Sequence, residues 1–163
     1  EGPAVVCANH SNYIDPLLVA AAFGQENYMH FMAKLELQRV PVVGAVLKKC
    51  GICFVDRGKS DIDAVRSMMR YLKRGEKVFI FPEGTRVEHD NEVEAKTGAV
   101  RIASKMKVPI LPVYIPRGKK IFGRVELLVG KPYTVEGKTH EEYLRLADGV
   151  MERIYELRDG TNG

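Results

Sequence analysis

The sequence lacks any apolar run of the length that a membrane-spanning helix needs, which is about 18 residues or more. Its two longest apolar stretches, "PLLVAAAF" (16–23) and "VPVVGAVL" (40–47), have the length of core helices. The sequence also has no internal repeat, low-complexity segment or linker-like stretch. These absences argue against a membrane span or a repeat array within the chain and favour one folded domain.

Cysteine is scarce, and three cysteines do not make the even-numbered framework of a disulfide-stabilised secreted domain. Two of them form the motif "CGIC", Cys50 to Cys53. In a redox-active site this motif opens a helix, whose N-terminus lowers the thiol pKa. Here it runs into the strand-like "FVDR". We therefore predict buried structural thiols and a reducing compartment.

Histidine is also infrequent, with four in the chain. His30, His89 and His140 show no metal-ligand spacing with one another or with the cysteines. We expect these three residues to be structural or solvated, and we expect no metal site. The remaining histidine, His10, lies in a motif described below.

The size and composition of the chain suit a single domain over residues 1–163, with 45% hydrophobic and 28% charged residues. Because the chain starts with Glu directly before a strand-like run, we expect that it lacks an N-terminal segment of the intact protein. The net charge of +4 suits anionic partners such as phosphates and acidic lipids. Nucleic acid is not expected as a partner, since the basic residues are scattered among acidic ones without interleaved aromatics.

Short apolar runs rich in β-branched and aromatic residues predict strands at 4–8, 28–33, 52–55, 77–81, 109–115 and 125–129. Helical patterns lie at 16–23, 41–50, 60–75, 97–107 and 139–158. This alternation predicts a single α/β domain with a mixed, largely parallel central sheet flanked by helices. Ligands of such sheets gather at the carboxyl ends of strands. We therefore expect the loops "NHSNYID", "DRGK" and "PEGTR" to converge on one site.

The stretch "NHSNYIDP" places His10 on a loop and Asp15 at the start of a predicted helix. Because Asp15 precedes Pro16, and proline favours the first helical position, Asp15 suits a helix N-cap and His10 an ordinary loop position. A capping aspartate can also use its second oxygen to hold Nδ1–H of a histidine, which leaves Nε2 free as a base. The pair alone leaves both interpretations open.

Four blocks carry a resemblance to a known family: "NHSNYIDP", "GICFVDRG", "FPEGTR" and "VPILPVYI". Their order and approximate separations resemble those of the glycerolipid acyltransferases, in particular the 1-acylglycerol-3-phosphate acyltransferases. The segment "AKLELQRVPVVG" also resembles the family's lysine-containing segment before its second block. The resemblance spans about residues 5–115. Two departures are Asn12, in a position where the family usually has Ser, and Val87, where a Ser commonly follows the third block.

The resemblance implies transfer of a fatty acyl group from a thioester to the free hydroxyl of lysophosphatidic acid, which gives phosphatidic acid in phospholipid biosynthesis. Because a thioester is already activated, the reaction needs a base for the acceptor hydroxyl and donors for the developing oxyanion. His10 is the expected base and Asp15 its orienting partner. Ser11 is adjacent to His10 on the backbone and is not expected to act as a nucleophile. No cofactor is expected, and the co-substrate is an acyl thioester of coenzyme A or of acyl carrier protein.

The predicted substrate-binding residues are Arg57, Glu83, Gly84, Arg86, Lys34 and Lys96. The resemblance implies that the residues of "FPEGTR" line the acceptor pocket. Arg57 and Arg86 are expected to hold the phosphate together, because guanidinium groups bind phosphate oxygens in a bidentate manner. An ion pair between Arg57 and Asp56 is the alternative. The two lysines are further candidates, with solvated side chains as their alternative.

The segment "PRGKKIFGR" (116–124) interleaves basic residues with Ile121 and Phe122, a composition that suits an anionic membrane surface. A solvated loop is the alternative. We expect the protein at the cytoplasmic face of the cell membrane, either peripheral or anchored by a segment absent from this chain.

Three other functions remain as alternatives. An acyltransferase acting on glycerol-3-phosphate or another lysolipid would use the same blocks. A non-catalytic lipid-surface binding module would not need an intact pair of His10 and Asp15. A metal-dependent phosphoester hydrolase would use this pair as ligands, but few further ligands stand at suitable loop positions.

Overall fold

The computed structural model describes residues 2–24, 26–34, 53–55, 61–89, 93–118 and 125–160. Its elements in chain order are β1 (Val5–Ala8), α1 (Asp15–Phe23), β2 (Met29–Lys34), β3 (Cys53–Val55), α2 (Asp61–Lys73), β4 (Lys77–Ile80), α3 (Gly98–Met106), β5 (Ile110–Tyr114), β6 (Leu128–Val129) and α4 (His140–Asp159). All the predicted strands are confirmed, and so are the predicted helices except 41–50, which lies outside the described residues.

The strands form one six-stranded sheet in the order β3-β2-β4-β1-β5-β6. Strands β1 to β5 run parallel, and β6 runs antiparallel to β5. β6 is shorter than predicted because Leu128 pairs with Tyr114, the last residue of β5, so that residues before Leu128 lie beyond the end of that strand. The mixed, largely parallel α/β sheet predicted from the sequence is confirmed.

β1 lies at the centre of the sheet, and all of its side chains are buried. Successive strand residues point to opposite faces, so β1 contributes to two cores. Val5 and Cys7 pack with residues of α2, α3 and α4. Val6 and Ala8 pack on the other face, where Val19 of α1 joins them. The central strand is therefore covered on both faces, as is usual for parallel sheets.

The last helix, α4, starts with a complete capping box. The Thr139 side chain accepts a hydrogen bond from the Glu142 backbone N–H, and the Glu142 side chain accepts one from the Thr139 N–H. The apolar face of the helix packs in the same core as Val5 and Cys7, which we call the first core, through Val150, Met151 and Ile154. The packing of α4 brings Tyr155 into contact with Glu83 in the loop that follows β4.

Candidate active site

Asn9 holds the carboxyl end of β1 against that of β5. Its side chain is fully buried. Nδ2 donates a hydrogen bond to the Ile115 carbonyl at 2.9 Å, and Oδ1 accepts one from the Ile115 N–H at 2.7 Å. This pair of bonds fixes the point at which the chain leaves the sheet toward His10. Sequence reasoning missed Asn9, although a polar residue directly after a buried strand was a usable signal.

His10 and Asp15 are in contact. His10 Nδ1 lies 3.1 Å from Asp15 Oδ2. The same oxygen accepts hydrogen bonds from the backbone N–H groups of Ser11 and Asn12, each at 2.7 Å. Asp15 is fully buried. These bonds fold the loop around the carboxylate and set the orientation of the imidazole.

The prediction that Asp15 is the N-cap of α1 was wrong. The N-cap is Ile14, which makes no side-chain capping bond, and Pro16 lies in the first turn as expected. Asp15 is inside the helix and directs Oδ2 back to the preceding loop. Asp15 Oδ2 accepts hydrogen bonds from two loop N–H groups and contacts His10 Nδ1, and together these contacts are more favourable than the single hydrogen bond of an N-cap. The predicted contact with His10 therefore exists without the predicted cap.

The His10 ring stacks on Phe81, with ring centroids 3.9 Å apart and an interplanar angle of 16°. Its side chain is 16% exposed. A proton on Nδ1 that is donated to Asp15 leaves Nε2 as the nitrogen able to accept a proton. The ring is thus held on one face by Phe81 and on one edge by Asp15, which fixes the position of Nε2 as a general base requires.

The loop after β4 holds the backbone of His10 from both sides. The His10 N–H donates to Glu83 Oε2 at 2.6 Å, and the His10 carbonyl accepts a hydrogen bond from the Val87 N–H at 2.9 Å. β1 and β4 are neighbours in the sheet, so the two loops that follow them meet. The expected convergence of "NHSNYID" with "PEGTR" is confirmed.

Glu83 is buried behind His10 and is only 3% exposed. Its Oε1 accepts a hydrogen bond from the Tyr155 hydroxyl at 2.8 Å, and Arg117 Nη2 lies 4.0 Å from the same oxygen. Burial raises the pKa of Glu83, while the bonds from the His10 N–H and Tyr155 act in the opposite direction. The structure places this carboxylate among protein donors, and its predicted contact with an acceptor stays a prediction.

An open cleft of about 290 Å³ lies beside the two loops. It is lined by Ser11, Asn12, Tyr13, Arg86, Val87 and Glu88. The Arg86 guanidinium carbon lies 3.4 Å from the centroid of the Tyr13 ring, so the aromatic face holds the cation at the cleft. Sequence reasoning predicted Arg86 but missed Tyr13.

Gly84 lies next to Lys96. Its φ of +68° is in the left-handed region that favours glycine, and a Cβ there would lie 3.2 Å from Lys96 Cγ. The Lys96 N–H donates to the Pro82 carbonyl at 2.7 Å, which joins this segment to the loop after β4. Gly84 therefore lies in the loop that carries Arg86 and Lys96 lies beside it, and their contacts with substrate stay predictions.

Two predicted substrate-binding residues lie wholly or partly outside the described part of the structure. Arg57 lies outside the described residues, as does the loop "DRGK". Lys34 is the last residue of β2, and its side chain is also outside the described part. In the sheet order, β2 and β4 separate β3 from β1. The convergence of the third loop on the site therefore stays a prediction.

The other histidines that the structure describes have local protein partners. His30 stacks on Tyr71 with centroids 3.5 Å apart and pairs with Glu76 at 2.6 Å. His140 Nδ1 lies 2.9 Å from Arg101 Nη2. Both fit the predicted structural or solvated role. Cys7 is a buried free thiol whose pKa is raised by burial, which makes it unreactive.

Neither a metal site nor a membrane-spanning helix is present in the residue ranges that the structure describes. No group of three or more His, Cys, Asp or Glu residues within these ranges could hold a metal ion. Likewise, no helix within the same parts of the chain combines the length and the apolar character needed to cross a membrane.

A histidine oriented by a buried carboxylate at the carboxyl end of the central strand is the arrangement of an α/β enzyme that uses a histidine base. Comparison with known proteins then identifies the family. The model of the family described as Acyltransferase matches residues 1–116. This chain belongs to that acyltransferase family, as the four blocks indicated.

Individual relatives cover most of the chain. The 1-acyl-sn-glycerol-3-phosphate acyltransferase of Bacillus subtilis is 33% identical over a gapped alignment of 165 residues. The alignment covers 95% of this chain and 81% of that protein. The 1-acyl-sn-glycerol-3-phosphate acyltransferase alpha of Mus musculus is 29% identical over a gapped alignment of 180 residues. This alignment covers 99% of this chain but 62% of the mouse protein. The crystal structure of the 1-acyl-sn-glycerophosphate (LPA) acyltransferase PlsC from Thermotoga maritima matches with a TM-score of 0.69 and 30% identity, over 96% of this chain and 66% of that one.

Proposed function

We propose that this chain transfers a fatty acyl group from an acyl thioester to the free hydroxyl of lysophosphatidic acid, which gives phosphatidic acid. The observation that carries the proposal is the contact of His10 with the buried Asp15, in a chain of the acyltransferase family. The names of the relatives from B. subtilis and T. maritima support the choice of acceptor.

In the proposed reaction His10 acts as a general base. Nε2 takes the proton of the acceptor hydroxyl while the hydroxyl oxygen attacks the carbonyl carbon of the thioester. The tetrahedral intermediate then collapses, the carbon–sulfur bond breaks, and the leaving thiolate takes the proton from the imidazolium. Asp15 stabilises the imidazolium through Nδ1. The acyl group passes directly from sulfur to oxygen, and no cofactor is consumed.

The acceptor phosphate is proposed to bind at the cleft beside Arg86. Arg86 is exposed, lines the cleft and lies between Glu83 and Val87, the two residues of the loop after β4 that hold the His10 backbone. Arg57 is proposed as a second phosphate ligand, and Lys34 and Lys96 as further cationic contacts. Gly84 would let the acceptor approach the backbone closely, because it has no side chain.

The activity test supplies a long-chain acyl thioester of coenzyme A and lysophosphatidic acid in detergent micelles or vesicles. Released thiol and newly formed phosphatidic acid should be equal in amount. Glycerol-3-phosphate, offered at the same concentration, tests the nearest alternative. A preference for glycerol-3-phosphate would keep the chemistry and change the acceptor, whereas thiol release without any acylated product would contradict the proposal.

Direct transfer has a separate test. The protein is mixed with the acyl thioester in the absence of acceptor, and its mass is measured. No acyl adduct should appear, and Ser11→Ala should retain most of the turnover. A stoichiometric acyl adduct that disappears in Ser11→Ala would show a covalent intermediate and overturn direct transfer.

We also propose that the protein works at an anionic membrane surface on the cytoplasmic side. Tyr13 and Ile14, next to the cleft, are 71% and 38% exposed, and such side chains suit the lipid interface. The basic segment 116–124 lies mostly outside the described residues, but its composition favours acidic headgroups.

Vesicle sedimentation tests the membrane proposal. Reversing both Lys119 and Lys120 to Glu should weaken binding to vesicles that contain phosphatidylglycerol and leave binding to neutral vesicles unchanged. The charge-matched control reverses Arg66 and Arg70 on α2. Equal weakening in the two double variants would mean that net charge alone governs binding, and unchanged binding in the first would remove segment 116–124 from the proposal.

A further inference from the structure

The buried Glu83 carboxylate links the last helix to the loop that carries His10. Tyr155 lies in α4, beyond the residues 1–116 that match the family model. Its hydroxyl donates to Glu83 Oε1 at 2.8 Å, and the ring is buried with 7% exposure. Glu83 Oε2 accepts the His10 N–H at 2.6 Å. A continuous path of two hydrogen bonds therefore runs from Tyr155 to the backbone of the proposed base.

The surroundings of Glu83 make this path sensitive to the removal of any donor. A buried carboxylate is costly unless hydrogen bonds compensate for its lost hydration. Among the residues that the structure describes, the groups that lower its pKa are the His10 N–H, the Tyr155 hydroxyl and the Arg117 guanidinium, together with the charge of His10. Arg117 Nη1 is already bonded to the Val87 carbonyl at 2.5 Å, and its Nη2 is 4.0 Å from Glu83. Arg117 is thus placed as a more distant partner than Tyr155.

We propose that Tyr155 is a positioning residue for acyl transfer: its hydroxyl fixes the Glu83 carboxylate, which in turn holds the backbone of His10. This inference rests on the proposed role of His10 as base. Without the Tyr155 hydroxyl, Glu83 Oε1 loses its hydrogen-bond donor at 2.8 Å. The carboxylate can then rotate, and the position of Oε2 is no longer fixed. The His10 amide then loses a defined acceptor, and Nε2 shifts from the position that it needs for the acceptor hydroxyl.

The matched pair of variants is Tyr155→Phe and Tyr143→Phe. Tyr143 also lies in α4, and its hydroxyl donates to the Gly137 carbonyl, away from the site. Removal of one charge-assisted hydrogen bond should lower kcat of Tyr155→Phe by about tenfold. KM for both substrates should stay within about twofold, because the cleft itself is unchanged. Tyr143→Phe should keep the kcat of the original protein.

A double-mutant cycle tests the route of the effect. In a Glu83→Gln background, Tyr155→Phe should cost much less than in the original protein, because the link to His10 has already been altered. An equal reduction of kcat in both backgrounds would mean that the hydroxyl acts by another route and would overturn the inference. So would full kcat in the folded Tyr155→Phe protein.

A spectroscopic readout separates this inference from the proposed function. The chain has four histidines, so ¹⁵N-histidine labelling gives four backbone amide signals, and His10→Gln assigns the signal of residue 10. A short bond to a carboxylate moves that amide proton downfield. Tyr155→Phe and Glu83→Gln should each move it upfield, and Tyr143→Phe should not. An unmoved signal in Tyr155→Phe overturns the inference, whereas absence of acyltransferase activity in the original protein overturns the proposed function.

Discussion

At the scale of single residues, two buried carboxylates hold His10 from different sides. Asp15 holds Nδ1 of the ring, and Glu83 holds the backbone N–H. Burial of a carboxylate is unfavourable, but each of these accepts several hydrogen bonds from groups that the fold has already fixed. Neither carboxylate needs to exchange a proton with substrate for the proposed chemistry. Both therefore act on the position and charge of the histidine.

The raised pKa of Glu83 predicts a pH effect on stability. Burial raises this pKa above 4.5, so the folded state binds the proton more readily than the unfolded state. The free energy of unfolding contributed by Glu83 therefore falls as the pH rises from about 4.5 through the raised pKa. Glu83→Gln cannot titrate. In urea denaturation between about pH 4 and 8, the original protein should lose stability relative to Glu83→Gln across that window.

The other titrating groups are shared by the original protein and Glu83→Gln, so their effects cancel in the difference between the two free energies of unfolding. The difference should become constant above the raised pKa, where Glu83 is ionised in both the folded and the unfolded state. Stability curves that stay parallel over the whole pH range would contradict the assignment of a raised pKa to Glu83.

Arginine substitutions should separate acceptor binding from donor binding. Removing a charge-assisted hydrogen bond to a bound phosphate costs about 1.5 to 3 kcal/mol, so Arg86→Ala should raise the acceptor KM by about 10- to 150-fold. Arg57→Ala should act in the same direction, and the donor KM should change little in either variant. Steady-state kinetics with each substrate varied in turn gives both constants.

The control for Arg86 is Arg101→Ala. Arg101 also lies over a tyrosine ring, with its guanidinium carbon 4.6 Å from the centroid of Tyr143, but it is on α3 rather than at the cleft. This variant should keep both KM values. Equal effects of Arg86→Ala on acceptor and donor would mean that the phosphate binds elsewhere.

At the scale of elements, the site depends on the ends of three adjacent parallel strands, β4, β1 and β5. β4 supplies the loop that holds the His10 backbone, and β5 is joined to β1 by Asn9. Parallel neighbours bring their carboxyl ends to the same edge of a sheet. Segments that are far apart in sequence thus become a single site.

Asn9 should contribute to stability through the link between β1 and β5. Asn9→Ala leaves the N–H and carbonyl of Ile115 without their buried partner, and each such group costs about 1 to 3 kcal/mol. A decrease of about 2 to 6 kcal/mol in the free energy of unfolding is expected in urea denaturation. Asn9→Asp should also destabilise, because a carboxylate cannot donate to the Ile115 carbonyl.

Asn12→Ala is the control for Asn9. The Asn12 side chain makes a longer, exposed bond of 3.3 Å to the Ile14 N–H, so its removal should change stability by no more than about 0.5 kcal/mol. If the two alanine variants are destabilised by the same amount, the link between β1 and β5 does not hold the sheet in the way described.

The sequence predicted these elements because each one has a local pattern. Apolar runs indicated the strands, and the spacing of apolar residues indicated the helices. The predicted contact of His10 with Asp15 spans only five positions and needed only a turn. The contacts of Asn9 with Ile115 and of Tyr155 with Glu83 span 106 and 72 positions. No local pattern encodes such distances, and Tyr155 in sequence resembles any core residue on the apolar stripe of a helix.

The N-cap prediction failed for a related reason. Pro16 correctly indicated the start of α1, but it did not indicate which donors the Asp15 carboxylate would meet. The fold of the preceding loop presents the Ser11 and Asn12 N–H groups to that carboxylate. Whether Asp15 caps the helix or bonds to the loop depends on this three-dimensional arrangement. The local preference of the pair Asp15–Pro16 carries no information about it.

At the scale of the whole molecule, the part beyond the family match completes the first core. α4 packs against β5, β1 and α3, and it contributes Val150, Ile154 and Tyr155 to the buried interior. The family model ends at residue 116. The core and the hydrogen bonds around Glu83 extend past that point, so the site depends on the C-terminal helix as well as on the four blocks.

The role of His10 as the base of acyl transfer is tested by thiol release from an acyl thioester in the presence of lysophosphatidic acid, compared for His10→Ala and His30→Ala. His30 is the matched control, because it also stacks on an aromatic ring and pairs with a carboxylate. His10→Ala should lose about 10²- to 10⁴-fold in turnover, the usual contribution of a general base, while His30→Ala keeps it. Undiminished thiol release by a folded His10→Ala protein would contradict the account.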